Sequence, residues 1–128
     1  MRKVIAIDFD GTLCGNAWPE IGQAHEDIIE FAKYEQKNGA ALILWTCRCG
    51  ELLDAAVEWC RARGLEFDAV NANIPERVAL YGSESRKVSA DEYWEDLGLD
   101  HWTLRVRWDI TKNRIKKEKR KKRKEAGA

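Results

Sequence analysis

Long apolar runs, proline and histidine are all scarce in this 128-residue sequence, and each scarcity excludes something. No stretch approaches the roughly 18 to 20 apolar residues that a membrane-spanning helix needs, so a helical membrane protein is excluded. The 2 prolines, Pro19 and Pro75, fall in predicted loops, and without a Pro/Ser-rich stretch there is no sign of a linker between folded units. His25 and His101 lack a nearby nucleophile motif, which argues against histidine catalysis. Met1 leads into the strand-like run Val4–Phe9 and not into a secretory leader, so reduced thiols and a cytoplasmic location are expected. The spacing of the 4 cysteines argues against a zinc framework, since Cys47 and Cys49 are a Cys-x-Cys pair without a second pair and both histidines are distant in sequence; a thiol metal site on Cys47 and Cys49 is the third, less favoured reading.

Net charge is also lacking, but the zero hides an asymmetry. Residues 1–100 carry 10 Lys/Arg against 19 Asp/Glu, whereas residues 101–128 carry 12 against 3. An acidic body of −9 is therefore joined to a basic end of +9, and such an end seeks anions or the body itself. The length fits one compact domain.

The apolar residues present have two periods. Val4-Ile5-Ala6-Ile7 and Ala41-Leu42-Ile43-Leu44-Trp45 are continuous apolar runs, the pattern of strands covered on both faces of a parallel sheet. Between them, Ala24–Asn38 places Ile28, Ile29, Phe31 and Ala32 at helical spacing and stops at Gly39. Glu51–Arg63 repeats this with Leu52, Leu53, Ala56, Val57 and Cys60, with Gly64 beyond its end. Phe67–Asn71 reads as a third strand and Val88–Trp94 as the region of a fourth. The alternation predicts an α/β domain, a parallel sheet flanked by helices over residues 1–100. Beyond it, Trp102, Leu104, Val106 and Trp108 alternate with polar residues, which predicts an edge strand and connector over 101–111. Residues 112–128 hold 10 Lys/Arg between Lys112 and Lys124 and are expected to be a disordered tail or frayed helix.

The chemistry-bearing segment is Asp8-Phe9-Asp10-Gly11-Thr12, where the first strand runs out. Ligands of open α/β sheets bind beyond the carboxyl ends of strands. On extended backbone Asp8 and Asp10 project to one side and Phe9 to the other, while Gly11 permits a turn. Two adjacent carboxylates repel unless a cation or shared proton intervenes, and a hard divalent ion with oxygen ligands is the natural complement. Magnesium is the first expectation.

This segment resembles the first motif of the haloacid dehalogenase superfamily of phosphohydrolases, Asp-x-Asp-Gly-Thr after an apolar strand. The resemblance implies that Asp8 attacks phosphorus and becomes an aspartyl-phosphate, and that Asp10 protonates the leaving group and then activates water. The superfamily's second motif, a Thr or Ser ending an apolar strand, is matched by Thr46, followed by Cys47 and Arg48. An arginine there is expected to grip a substrate phosphate with its fork, and Gly11, Thr12 and Cys47 are expected beside the substrate. Lys87 stands for the third motif, with Arg86 as its rival, and Glu95-Asp96 for the acidic pair that completes the metal site with Asp8 and Asp10. The pattern departs from the usual one in two ways: Glu95 replaces the commoner Asp, and Lys87 lies too close upstream for an intervening helix. Asp91 is an alternative ligand if the strand ends early. A closer likeness is to small capless members that carry Asp-Phe-Asp-Gly-Thr-Leu-Cys, Leu-Trp-Thr-Cys-Arg and Ala-Asp-x-Tyr segments, found here at Asp8–Cys14, Leu44–Arg48 and Ala90–Tyr93. The segments after Asp10 and after Asn71 are too short for a large cap, which predicts an open site.

The resemblance thus predicts a Mg2+-dependent phosphomonoester hydrolase; the open site and the basic tail favour a nucleotide or nucleic-acid end as its substrate. Trp18, in the loop after Asp10, is placed either to pack on that loop or to stack on a base. The alternative is a catalytically weak scaffold that binds nucleic acid through Lys112–Lys124, a run without interleaved aromatics and so without specific stacking. Oligomeric state is not legible.

Overall fold

The structure, a computed structural model, describes residues 1–127. Its elements in order are β1 (Val4–Ile7), α1 (Glu26–Lys37), β2 (Ala41–Leu44), α2 (Gly50–Ala62), β3 (Ala69–Val70), α3 (Pro75–Tyr81), β4 (Glu92–Trp94) and α4 (His101–Gly127). The strands form one parallel sheet in the order β3-β2-β1-β4, flanked by helices and without a large cap, the α/β architecture expected. Both β1 and β2 are buried along their whole length, as continuous apolar runs require.

Alternating side chains divide the core between the two faces. Ile5, Ile7, Leu42, Leu44 and Trp94 pack with Ile28, Phe31, Ala56, Cys60, Leu104 and Trp108, so α1, α2 and α4 cover one face. Val4, Ala6, Ala41 and Ile43 pack with Ile74 and Val88 on the other face, where Trp45 and Tyr93 join them. The helix α3 has Pro75 at its first position and stops at Gly82, which adopts φ 75 and returns its N–H to the Val78 carbonyl. It is too short to show an apolar stripe in sequence.

The end of the chain differs from expectation. Residues 101–111 are not an edge strand; they are the start of the single 27-residue helix α4, which continues through the basic run in keeping with the helical one of its two expected states. Leu104 and Trp108 are buried, whereas Trp102 and Val106 are 67% and 60% exposed. An alternation in which only every fourth residue is buried is a helix stripe. Trp108 secures it by stacking on Phe31, with ring centroids 5.2 Å apart.

The fourth strand is also shorter than predicted, because Val88 packs against the sheet face and the register with β1 starts at Glu92, just after the Asp91 N–H donates to Val4 O at 2.7 Å. Asp91 precedes that pairing. Its Oδ2 accepts the Val4 N–H at 2.7 Å and Arg77 Nη2 at 2.9 Å, which fixes it at the amino ends of the strands. As an alternative metal ligand it is therefore displaced to the wrong end of the sheet.

Between β1 and α1 the chain makes a loop cinched at its neck. Gly15 N–H donates to Gln23 O at 2.8 Å, and a Cβ on Gly22 would stand 2.2 Å from Gly15 O, so only glycine fits there.

Candidate active site at the carboxyl ends of the strands

The order β3-β2-β1-β4 reverses direction between β1 and β4, and a crevice opens beyond carboxyl ends at such a reversal. Asp8 follows β1, with its N–H bonded to Trp94 O at 2.9 Å; Glu95 and Asp96 follow β4, and Thr46 follows β2. Asp8, Trp45, Thr46, Cys47 and Glu95 line one depression of about 230 Å3. Asp96 approaches from the other side of the turn: a Cβ on Gly11 would stand 3.3 Å from its Oδ2.

Electrostatics within this group are unfavourable. Burial above all, opposed by the Phe9 N–H that Asp8 Oδ1 accepts and reinforced by the charges of Asp10, Glu95 and Asp96, pushes the Asp8 carboxyl from 3.8 up to about 6. Among the described residues lining the depression there is no Lys or Arg to offset these charges. The donor set is all oxygen and mutually repelling, the type that suits a hard divalent ion. As the side chains stand, no three of the His, Cys, Asp and Glu residues among those described converge closely enough to chelate one. A cation would have to draw Asp8, Glu95 and Asp96 together.

Asp10 is held differently. Both its oxygens accept N–H groups of Arg48, Nε to Oδ2 at 2.8 Å and Nη2 to Oδ1 at 2.7 Å. Arg48 is only 2% exposed and also donates to the carbonyls of Pro19 and Glu20, at 3.0 and 2.9 Å. The expectation that Arg48 grips a substrate phosphate is therefore corrected: its fork is filled by Asp10 and the loop between Gly15 and Gly22. Each Asp10 oxygen thus already accepts one N–H, and its carboxylate is oriented by Arg48.

Thr12 and Gly11 are also absent from the surface. Thr12 is fully buried, its Oγ1 has no partner, and its N–H goes to Phe9 O at 3.2 Å. Gly11, at φ 85, is buried and donates to Cys14 O at 2.8 Å. They build the turn and do not reach the surface. Cys47 does line the depression and is exposed. Trp18, 64% exposed, is not packed into the core.

Lys87 is exposed and lines a separate open cavity of about 470 Å3 with Tyr81, Ser85, Val88, Ser89 and Tyr93. That cavity lies on the sheet face shared by Tyr93 and Trp45, but the structure does not bring Lys87 to Asp8. Arg86 is exposed as well.

Two contributors were missed in sequence. Asn71, at φ 50, turns its Oδ1 to accept the Thr46 N–H at 2.8 Å, and Thr46 Oγ1 in turn accepts the Arg48 N–H at 3.1 Å. Asparagine is among the few residues that tolerate left-handed backbone, which is the only local signal it offers. His25 is the other: its Nδ1 lies 2.8 Å from Thr12 O and ties the start of α1 to the motif turn.

No protein-family model matches the chain, and no curated protein matches it. A solved structure does: a conserved protein coded by a locus of Bacteroides thetaiotaomicron is 39% identical, with a TM-score of 0.70 over 89% of this chain and 93% of that one. The chain belongs to the family of that conserved protein. The description of the relative names no activity.

Proposed function

We propose that the chain is a Mg2+-dependent phosphomonoester hydrolase of the haloacid dehalogenase type, with Asp8 as nucleophile. One observation carries the reading: Asp8, Thr46 and Glu95 share a depression beyond the strand ends, with Asp96 close by and no basic side chain among its lining residues. In this reading an Asp8 oxygen attacks phosphorus, the substrate oxygen leaves with a proton, and water then cleaves the aspartyl-phosphate to inorganic phosphate and Asp8. Thr46 Oγ1, on the wall of the depression, is the hydroxyl available to the transferring group. Asp8, Glu95 and Asp96 are the residues that would hold Mg2+, which when bound would supply the positive charge that lets a carboxylate meet a phosphate dianion. Asp10 is the proton-transfer partner, and it gains a free oxygen only when the Arg48 fork loosens. That couples the proton step to the loop carrying Pro19 and Glu20.

The open depression supports a substrate whose organic part extends into solvent. It does not by itself favour a nucleic-acid end over another phosphomonoester.

The test is phosphate release from nucleotides, sugar phosphates, 5′-phosphorylated oligonucleotides and a generic aryl phosphate, with Mg2+ and with chelator. Metal-dependent release that falls at least about a thousandfold in Asp8→Asn is expected, as for loss of a covalent nucleophile. Release that survives Asp8→Asn, or none from any substrate, overturns the proposal. A second readout avoids turnover: Mg2+ should raise the melting temperature of the wild type but not of Glu95→Gln/Asp96→Asn.

A further inference from the structure

We infer that the last third of α4 is a cationic arm that binds the phosphate backbone of nucleic acid, on the opposite side of the molecule from the Asp8 depression.

The direction of the helix carries the argument. His101, its first residue, stacks near His25, with ring centroids 5.4 Å apart, and His25 touches Thr12 O at the carboxyl end of the sheet. Further along, Arg105 Nε meets Asp27 Oδ2 at 2.6 Å, and Trp108 packs on Phe31 and Tyr34. The helix therefore runs parallel to α1. By Arg107, whose two terminal nitrogens each reach a Glu92 oxygen at 3.2 Å, it is level with the first residue of β4, at the amino ends of the strands. At 1.5 Å per residue, residues 116–127 extend from about 13 to about 30 Å beyond Arg107, away from Asp8.

Its contact stripe ends at Ile115, and residues 116–127 are exposed throughout. These 12 residues include 8 Lys/Arg, 2 Glu and no apolar residue but Ala126. Because 119–124 are all basic, the charge surrounds the axis and does not form a face. A protein interface needs an apolar core and a helix inserted in a lipid surface an apolar stripe, and the arm has neither; charge on every side of the axis suits a polyanion that can surround it better than a flat headgroup layer that meets one face. A regular polyanion needs only charge. Without Asn, Gln or aromatic residues in 116–127, the arm has no side chain to pair with adenine or to stack on bases, and its charge, which favours no one face, is expected to bind chiefly to the backbone with little dependence on sequence.

The experiment uses the full chain and labelled 20-base-pair DNA and RNA duplexes without terminal phosphates, followed by fluorescence anisotropy. With about five phosphates neutralised, affinity for DNA should fall about 500-fold between 50 and 200 mM salt. Replacing the 8 basic residues of 116–127 by Gln should abolish binding while leaving the melting temperature within a few degrees. Asp8→Asn should leave the affinity unchanged, as should inorganic phosphate added at constant ionic strength, so that failure of the hydrolase reading leaves the arm untouched. The inference is overturned if the wild type does not bind at 50 mM salt, if the Gln variant binds equally, or if inorganic phosphate displaces the duplex at constant ionic strength. It is also overturned by tighter binding to anionic lipid vesicles, or by salt-sensitive dimers that tie up the arm on the acidic body of a second copy.

Discussion

Arg48 and Asp10 are locked in a two-point ion pair across 38 residues of chain, with the guanidinium side chain 1% exposed and the carboxylate 18%. The pair joins the turn after β1 to the turn after β2, and the carbonyls of Pro19 and Glu20 complete the guanidinium's shell.

Removing the arginine leaves a half-buried carboxylate and two loop carbonyls without their donor. Arg48→Ala is therefore expected to cost about 3 kcal/mol or more, and Arg48→Lys less, since it keeps the charge and loses the fork. Urea unfolding measures both. A midpoint unmoved by Arg48→Ala would show that the pair contributes nothing to the fold.

Asp8 gives a pH dependence of opposite sign to that of most carboxylates. Its carboxyl is raised from 3.8 to about 6 on folding, so its contribution is favourable below about pH 4 and is lost as pH rises through about 6. In chelator at pH 7, Asp8→Asn should be more stable than the wild type by about 1 kcal/mol, a figure reduced for solvent screening. The gap should close by pH 4, and thermal melts across that range decide the matter. A variant less stable than wild type at pH 7 contradicts the electrostatic account.

Glu92 behaves in the ordinary direction. Burial opposes its ionisation, but hydrogen bonds from Arg107, Trp94 and Lys3 outweigh burial and hold it at about 2, against an ordinary 4.5. The stability it confers is present above pH 4.5 and is lost as pH falls towards 2. Glu92→Gln should lose about 2 kcal/mol at pH 7 and progressively less below pH 4.5. Denaturant midpoints at pH 7, 4.5 and 3 trace that convergence; a constant difference would assign the loss to packing.

Thiol reactivity should divide the cysteines in two. Cys47 and Cys49 are exposed, whereas burial pushes the Cys14 thiol up to about 11 and the Cys60 thiol up to about 12. Brief iodoacetamide treatment of native protein, read by peptide mass, should modify Cys47 and Cys49 only. Labelling of Cys60 before unfolding would mean that α2 opens readily from the sheet.

Continuous burial on two faces made β1 and β2 legible, and the stripes of α1 and α2 were equally plain, because each pattern answers to one period. The alternation from Trp102 to Trp108 answers to two, since residues four apart belong to a helix stripe and to a strand face alike. Only burial distinguishes them. At the site, Asp8 and Asp10 were visible because their signal lies within five consecutive residues. The task of Arg48 was not, because its partners sit 28 to 38 positions away, and a side chain's direction across that distance is set by packing alone. Lys87 illustrates the same limit, its order in the chain being right for a motif while its side chain faces another cavity.

The glycine neck between Gly15 and Gly22 has a bearing on protein engineering. Because the two backbones touch there, the ends of the loop stay together whatever lies between them, and lengthening a closed loop adds only about 0.6 kcal/mol per doubling. Asn16-Ala17-Trp18 is thus a natural port for splicing in a foreign segment. An insert there would leave from exposed chain and return to it, fixed by a hinge already built.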